Sequence, residues 1–256
     1  MLLPRPDEIH LWLVRCNEVS DAELLRRYRE MLSAVEKDQE HRFLMPQSRH
    51  RYLLTRALVR TTLSRYAPLA ARDWVFESDP HGRPRIVNQH EGVANLSFNI
   101  SHTEDVVLLG MTADAALGVD VESVRARTPS GPLADRYFSP TEAQHLRALP
   151  PSQQQQRFFD YWTLKESYIK ARGLGLSISL DQFSFRIGGG EIAIRMEPGL
   201  GDSPDRWRFW LLRTGEHHIA AICAQRTVLP QSLVMRLVVP LHSEQAFACK
   251  VLARSP

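Results

Sequence analysis

The chain has 256 residues, of which 43% are hydrophobic and 24% are charged, a composition typical of globular proteins. It excludes a disordered or fibrous chain, and the length fits one large domain or two small ones. The charge sum of 32 basic and 29 acidic residues is only +3, too small for wholesale binding to a polyanion. Only four of the basic residues are lysines, and two of these, Lys165 and Lys170, lie five residues apart.

The sequence also indicates a compartment. No stretch holds the roughly 18 to 20 apolar residues of a membrane-spanning helix. Arg5 is followed by Asp7 and Glu8 rather than by an apolar secretory segment. Three scattered cysteines without paired spacing indicate reduced thiols. We therefore expect a cytoplasmic protein with no membrane partner.

The first predicted elements are a strand and two helices. Residues 9–14 alternate in a way that favours a strand covered on both faces. Ser20 and Glu23 form a capping box, and the apolar spacing after it continues at helical intervals to Val35. A second helix is expected over about residues 48–66.

The remaining pattern mixes strands with two more helices. A capping box at Ser139 and Glu142 predicts a helix start, and a long helix should cover about residues 153–172 with Gly173 at its C-terminal cap. Gly, Pro and Ser make residues 128–133 and 198–205 loop-like. Strands are predicted at residues 74–76, 96–100, 106–111, 117–121, 183–187, 191–195, 207–212, 219–224 and 233–239. This order predicts an α+β fold, with two halves meeting near residue 116.

The segment Gly118-Val119-Asp120-Val121-Glu122 is the first with chemical potential. Alternation places Asp120 and Glu122 on one face of a strand, with Cα atoms roughly 6.5 to 7 Å apart. Two neighbouring carboxylates repel each other unless a cation lies between them, and Mg²⁺ prefers such oxygen ligands. Gly118 leaves the same face open to a bulky group. The alternative is an ordinary strand with an exposed acidic face.

The second segment is the helical run from Trp162 to Lys170. Helical spacing puts Glu166 and Lys170 on one face, with Trp162 on an adjoining apolar face. The pair could be a surface ion pair. If Glu166 instead adds a third carboxylate to the strand pair, Lys170 could reach a phosphate held by the metal.

An arginine stripe is the third feature. Residues 42–65 contain six arginines and no acidic residue, and residues 26–65 sum to +6. Such a helix either attracts phosphate groups or simply presents a solvated face. Nucleic acid is disfavoured as its partner, because no nucleic-acid-binding signature accompanies the stripe.

Two short segments follow it. His81-Gly82-Arg83-Pro84 is a turn that presents an arginine, and Asn99, Ser101 and His102 end a strand with polar groups. Neither a hydrolase elbow nor a phosphate-binding loop motif is present. A structural role for His102 is the alternative.

Taken together, these segments resemble the 4′-phosphopantetheinyl transferases, in particular the large, monomeric type that activates surfactin synthetase. GVDVE matches G-x-D-x-E, and WTLKESYIK matches W-x-x-K-E-[AS]-x-x-K. GRP and FNISH match two further family segments, all in the family's order. The resemblance covers about residues 8–225.

The resemblance implies an architecture and an activity. The fold would be two similar α+β halves related by a pseudo-two-fold axis, with coenzyme A in the cleft between them. Residues 1–116 would hold the Arg-rich helix and coenzyme A contacts, residues 117–226 the metal site and catalytic helix, and residues 227–256 an extension of unknown role. The enzyme would move the 4′-phosphopantetheine arm of coenzyme A to a serine of an apo acyl or peptidyl carrier protein, releasing adenosine 3′,5′-bisphosphate.

The resemblance also implies roles for individual residues. Asp120, Glu122 and Glu166 would bind Mg²⁺, with Mn²⁺ as a second candidate. Asp120, Glu166 and Lys170 would be catalytic. Glu166 would be the base, directly or through water, with Lys170 as the alternative base, and Lys170 would also contact the pyrophosphate. The residues implied to contact coenzyme A are Arg51, Gly82, Arg83, Pro84, Asn99, Ser101, His102, Lys165 and Lys170.

This chain departs from the family near the arginine stripe. Glu36 and Gln39 stand where relatives often carry Lys, and Tyr52 stands where some carry a small hydroxyl residue. The sequence does not distinguish carriers of fatty-acid, polyketide and peptide pathways. Two other functions stay open from the residues alone: a nucleic-acid-binding module and a Mg²⁺-dependent phosphohydrolase.

Overall fold

A computed structural model describes residues 2, 5, 7–79, 82–90, 93, 95–125 and 130–256. The chain forms two compact units, Met1–Asp114 with Leu229–Ala248 and Ala115–Val228 with Cys249–Pro256. Each unit combines a mixed sheet with helices, so the predicted α+β class is confirmed. Among the described residues, no helix is both long and apolar enough to cross a membrane.

Regular elements occupy most of both units. The helices are α1 (Ala22–Met31), α2 (Ala34–Arg42), α3 (Pro46–Leu63), α4 (Ser130–Tyr137), α5 (Pro140–Ala148) and α6 (Pro151–Arg172). The strands are β1 (Glu8–Arg15), β2 (Phe76–Ser78), β3 (Pro84–Ile86), β4 (Leu96–His102), β5 (Val106–Ala113), β6 (Leu117–Ser123), β7 (Phe183–Gly188), β8 (Glu191–Met196), β9 (Trp207–Arg213), β10 (His218–Gln225), β11 (Ser232–Val239), β12 (Ser243–Ala246) and β13 (Lys250–Arg254).

The first unit is built on a five-stranded sheet in the order β12-β11-β1-β5-β4. β1 pairs in parallel with β11 and antiparallel with β5. Residues 9–14 of β1 are all buried, as expected for a strand covered on both faces. Trp12 and Val14 pack in one apolar core with Leu54 and Leu58 of α3.

The second unit is built on a six-stranded sheet in the order β6-β10-β9-β13-β8-β7. All pairs are antiparallel except β13 with β8. The long helix α6 lies over β6 and β10. Its apolar side joins Phe183, Phe185, Trp207 and Phe209 in a core rich in aromatic rings. This packing fixes the position of α6 relative to β6.

The first predicted helix is two helices in the structure. The cap of α1 is Asp21 rather than Ser20, since the Asp21 carboxylate accepts the Leu24 amide proton. α1 ends at Met31, and α2 starts with a capping box between Ser33 and Glu36. The apolar spacing continues at helical intervals past the end of α1, so it did not reveal the break. The break is marked instead by the capping box of Ser33 and Glu36.

Other differences lie in short segments and in the tail. The strand expected at 74–76 is β2, two residues later, and α4 begins at Ser130 inside a segment expected to be a loop. Thr128 of that segment lies outside the described residues. Beyond residue 227, β11 and β12 extend the first sheet, and β13 lies between β9 and β8 in the second.

Candidate active site

Gly118 explains how α6 meets β6. A Cβ atom at this position would lie 1.9 Å from the Ser167 carbonyl oxygen and 2.4 Å from the Ala171 amide nitrogen. Both distances are far below van der Waals contact, so only glycine allows the helix backbone to cross the strand here. The face that the sequence left open to a bulky group is filled by α6 itself.

α6 presents a half-buried polar stripe at this crossing. Pro151 starts the helix at its first turn, and Gly173 ends it with a left-handed φ of 66° while donating to the Ile169 and Lys170 carbonyls. Trp162, Glu166 and Lys170 follow one another at intervals of four and are only half-buried. Residues spaced by four share one helix face.

The structure brings the three predicted carboxylates into electrostatic contact. Asp120 is 4% exposed, which rules out the alternative of an exposed acidic strand face. Burial and the negative charge of Asp120 raise the pKa of Glu122 to about 7, with a smaller contribution from Glu166. Burial and Asp120 also raise the pKa of Glu166. The group carries mutually repelling charges that a cation would stabilise.

Lys170 supplies one such cation. Its Nζ atom lies 2.6 Å from Asp120 Oδ1, in an ion pair whose lysine side chain is 27% exposed. Lys170 thus pairs across helix and strand with Asp120, whereas one of the two interpretations of the sequence was a surface pair with Glu166. As the side chains stand, no three His, Cys, Asp or Glu residues in the described ranges are grouped to hold one metal ion. The ligand set Asp120, Glu122 and Glu166 therefore stays a prediction.

Trp162 belongs to this site rather than to the core alone. Its indole N–H, which can only donate, acts to lower the pKa of the Glu122 carboxylate. The ring stacks on Phe158 at 6.0 Å and meets the edge of Tyr137 at 6.1 Å. Trp162 therefore adds a polar N–H group near Glu122 on this side of α6, a role that the apolar pattern did not reveal.

Lys165 pairs with Glu142 inside the core rather than with Asp120, Glu122 or Glu166. This corrects its expected contact with coenzyme A. The side chain is fully buried, and Nζ lies 2.8 Å from Glu142 Oε2. It also donates to the carbonyl oxygens of Leu180 and Phe183 at 2.7 and 2.6 Å. Burial lowers the pKa of Lys165, against the opposing effect of Glu142. An ammonium enclosed in this way has no surface left for a ligand.

Three of the six arginines in the stripe, Arg56, Arg60 and Arg65, form ion pairs within the first unit. Arg60 is 1% exposed and donates to Glu36 Oε2 at 2.6 Å, while Arg56 donates to Glu36 Oε1 at 2.7 Å. Although burial acts in the other direction, Arg56, the Ser33 amide and Arg60 hold the pKa of Glu36 below its ordinary value. Arg65 pairs with Glu244. The stripe is therefore not a row of free phosphate ligands.

Arg51 of the stripe remains half-buried near the surface. Its Nη1 donates to the Glu104 carbonyl oxygen at a long distance of 3.4 Å. Such a bond is weak, because the optimum for N–H···O lies near 2.9 Å. Arg51 can therefore turn toward a ligand at the loss of only one weak bond.

The turn after β2 holds Arg83 firmly. Gly82 adopts a φ of 81°, and the Arg83 amide donates to Asp79 Oδ1 at 2.9 Å. The guanidinium donates to the Phe98 carbonyl oxygen at 2.9 Å, and burial lowers the pKa of Arg83. Pro84 opens β3 directly afterwards. His81 of the same motif lies outside the described residues.

The polar end of β4 lies at the edge of the first sheet. Asn99 and Ser101 are buried, whereas His102 is exposed. Side chains alternate along a strand, so Ser101 lies on the Asn99 face and His102 on the face of the core residue Phe98. The two neighbours therefore project from opposite faces of β4.

Comparison with known proteins decides the family. A model described as the 4′-phosphopantetheinyl transferase superfamily matches residues 116–223, and one described as 4′-phosphopantetheinyl transferase, N-terminal, matches residues 20–113. The 4′-phosphopantetheinyl transferase HetI of Nostoc sp. is 30% identical over 228 residues, covering 86% of this chain and 92% of that protein. This chain belongs to the 4′-phosphopantetheinyl transferase superfamily.

One further relative and one solved structure are similar to parts of this transferase. The 4′-phosphopantetheinyl transferase Sfp of Bacillus subtilis is 30% identical over 213 residues, covering 82% of this chain and 89% of that protein. A crystal structure of Thermotoga maritima holo-(acyl-carrier-protein) synthase aligns with a TM-score of 0.37 at 20% identity. The alignment covers 44% of this chain and 63% of that chain, which is less than two thirds of its length.

Three residues of this transferase were missed from sequence in their structural roles. Glu142 was recognised only as a helix cap, yet it also binds Lys165. Glu36 was noted only as a departure from the family, yet it forms ion pairs with two arginines. Trp162 was assigned to the core. Local patterns indicate caps and faces, but pairs separated by 20 or more residues require the fold.

Proposed function

We propose that this protein transfers the 4′-phosphopantetheine arm of coenzyme A to a serine of an apo acyl or peptidyl carrier protein. The observation that carries the proposal is the group formed by Asp120, Glu122, Glu166 and Lys170 within the superfamily match. In the reaction the serine oxygen bonds to the β-phosphorus, the bond from that phosphorus to the bridging oxygen breaks, and adenosine 3′,5′-bisphosphate leaves.

We propose Mg²⁺ as the metal, with Mn²⁺ as a second candidate, held by Asp120, Glu122 and Glu166. The donor set fits, because all three offer carboxylate oxygens, the ligands that Mg²⁺ prefers. Burial and, after it, the negative charge of Asp120 raise the pKa of Glu122 and of Glu166, and this repulsion between carboxylates supports a bound cation. When bound, the ion would neutralise charge on the pyrophosphate.

Glu166 is proposed as the base that accepts the serine proton, directly or through water. Its carboxylate belongs to the same electrostatic group as Asp120 and Glu122, and metal contact would keep it ionised and so able to accept a proton. Lys170 is proposed to leave Asp120 and donate to the pyrophosphate, where its charge counters the charge of the leaving group. Asp120 is catalytic in this scheme because it would bind the metal ion and because it holds Lys170 beside the site before transfer.

The proposed coenzyme A contacts of the first unit are Arg51, Gly82, Arg83, Pro84, Asn99, Ser101 and His102. A phosphate near Arg83 would offset the burial that lowers the pKa of this guanidinium. His102 is exposed at an edge strand, which leaves it accessible to a phosphate. Lys165 is no longer among these contacts.

The decisive experiment incubates the protein with coenzyme A, Mg²⁺ and an apo carrier from each of the three pathways, and weighs the carriers. Covalent attachment of the arm adds about 340 Da to the carrier, an estimate from the arm's composition. Folded protein that leaves every carrier unmodified would reject the proposal. Phosphate release without a carrier would point to the phosphohydrolase alternative. Cytoplasmic location and a monomeric state stay predictions.

A further inference from the structure

The Lys165–Glu142 pair joins three separate segments inside the second unit. Lys165 lies on α6, Glu142 on the first turn of α5, and the carbonyl acceptors of Lys165 belong to Leu180 and Phe183. The other carboxylate oxygen, Glu142 Oε1, accepts the amide proton of Phe185 in β7 at 2.8 Å. The pair therefore ties α6 to α5 and to the start of β7.

Every polar group of this network has a partner. Glu142 Oε2 accepts the Ser139 amide and hydroxyl protons at 3.1 and 2.8 Å in addition to binding Lys165. The ammonium also lies 4.3 Å from the centre of the Phe183 ring. Both side chains are at most 1% exposed. The network is satisfied, and each partner depends on the others.

Stability alone does not account for such a pair. Desolvating two charges costs much of what their attraction returns, and well-packed apolar residues of similar volume often stabilise a core at least as well. An apolar side chain can also slide against its neighbours. An ammonium with three fixed acceptors cannot rotate without losing them. The pair therefore specifies one orientation of α6.

That orientation matters because Lys165 and Glu166 are consecutive. Successive helix residues are about 100° apart around the axis, so the angle of Lys165 sets the angle of Glu166. On the opposite flank, the backbone at Ser167 and Ala171 is pressed against Gly118. α6 is thus held from two sides, with the stripe of Trp162, Glu166 and Lys170 between them.

We propose that Lys165 and Glu142 are positioning residues, which fix the rotation of α6 so that Glu166 faces Asp120 and Glu122. Neither touches substrate in this scheme. The inference rests on the proposed function for its catalytic consequence, but its structural consequence is independent of it. Losing the pair should let Glu166 turn away from Asp120 and Glu122, whatever reaction the three carboxylates serve.

The test compares Lys165→Met and the double variant Glu142→Gln/Lys165→Met with the wild-type chain. The double variant removes both charges, keeps the glutamine carbonyl as an acceptor, and should fold. We expect Mn²⁺, titrated alone, to bind roughly 10-fold to 100-fold more weakly, the range found when outer-shell partners are removed. The kcat for transfer should fall by a similar factor, while the KM for coenzyme A stays within about twofold.

Ile192→Ala is the matched control. Ile192 lies in the same core on β8 and is 1% exposed, so its truncation lowers the unfolding temperature without touching the pair. At a temperature where all variants are folded, the control should keep wild-type Mn²⁺ affinity and kcat. A double variant that is folded and matches wild type in both would overturn the proposal.

Glu142→Asp covers the case in which the charge-removing variants fail to fold. It keeps the carboxylate but shortens its reach, and a smaller loss of Mn²⁺ affinity and kcat is expected. Unchanged values in this variant would also overturn the proposal. If the wild-type protein modifies no carrier, the proposed function fails by itself, and the Mn²⁺ titration still decides whether the pair positions the carboxylates.

Discussion

Lys170 and Asp120 form an ion pair that links helix α6 to β6, the edge strand of its sheet, with Nζ 2.6 Å from Oδ1. The pair is made between an almost buried carboxylate and a partly exposed ammonium. The same ammonium acts to lower the pKa of Glu122 and Glu166, against their mutual repulsion. Lys170 therefore serves as an internal counterion for the carboxylate group.

Lys170→Met should have opposite effects on metal binding and on transfer. Without the ammonium, a metal ion no longer competes for Asp120, so Mn²⁺ titrated alone should bind more tightly, by about tenfold if about 1.4 kcal/mol of competition is removed. The kcat for transfer should fall, because the pyrophosphate loses a positive partner. Mn²⁺ affinity is read from a calorimetric titration and kcat from the carrier mass shift.

Lys250→Met provides the control for Lys170→Met, since it removes the same charge from an exposed position on β13. It should leave both quantities unchanged. Equal or weaker Mn²⁺ binding by Lys170→Met would show that the lysine and the metal do not compete for Asp120.

Gly118→Ala should separate α6 from β6. The new methyl group would overlap the Ser167 carbonyl oxygen, and because backbone rather than a flexible side chain is in the way, relief requires moving the helix. Overpacking usually costs about 1 to 3 kcal/mol, and we expect the free energy of unfolding to fall by at least that much. Transfer should drop as well, since Glu166 and Lys170 move with α6.

A matched glycine tests this interpretation. Gly188 on β7 has open space around its missing Cβ, so Gly188→Ala should leave the unfolding free energy and the transfer rate near wild type. Urea unfolding of both variants checks the comparison. Equal stability of Gly118→Ala and Gly188→Ala would mean that the helix crosses β6 less tightly than the structure indicates.

The contrast between Lys170 and Lys165 shows how far the sequence alone could reach. Helical spacing correctly put Lys170 on the face of Glu166, because that relation is local. It could not show that Lys165 turns into the core, since its partner Glu142 lies 23 residues away on another helix. The capping box at Ser139 was predicted and is present, but its glutamate has a second partner that no local pattern encodes.

The arginine stripe shows that counting charges along the sequence does not reveal which of them form ion pairs. Counting residues 42–65 found no acidic partner, yet Glu36 lies just outside that window and binds both Arg56 and Arg60. The long helix, its glycine cap and most strands followed from periodicity and capping, which act over a few residues. Ion pairs across elements depend on how those elements pack.

Glu166→Gln should abolish most transfer without unfolding the protein. Glutamine keeps the size of the side chain but cannot accept the serine proton, and the loss of a general base typically costs about 100-fold to 10,000-fold in rate. It also removes one of the repelling charges, so the thermal unfolding temperature should stay level or rise. Near-wild-type turnover by the folded variant would remove Glu166 from the base role.

His10 should make stability depend on pH in the first unit. It is 3% exposed, and its Nδ1 lies 2.6 Å from the Tyr66 hydroxyl. Burial, together with the charge of Arg236, lowers the pKa of His10 below its ordinary value, although Glu8 opposes this. The unfolded chain therefore binds the proton more readily, and stability is lost as pH falls below the unfolded value of about 6.5 and through the lower folded value.

His10→Gln removes this proton while retaining a group that can hydrogen-bond Tyr66. We expect the free energy of unfolding in urea to fall less steeply between pH 7.5 and pH 5 in this variant than in wild type. His41→Gln, at an exposed position of α2, should retain the wild-type slope. If His10→Gln also keeps the wild-type slope, the acid sensitivity of the unfolding free energy originates in other groups, because this variant has no imidazole at position 10.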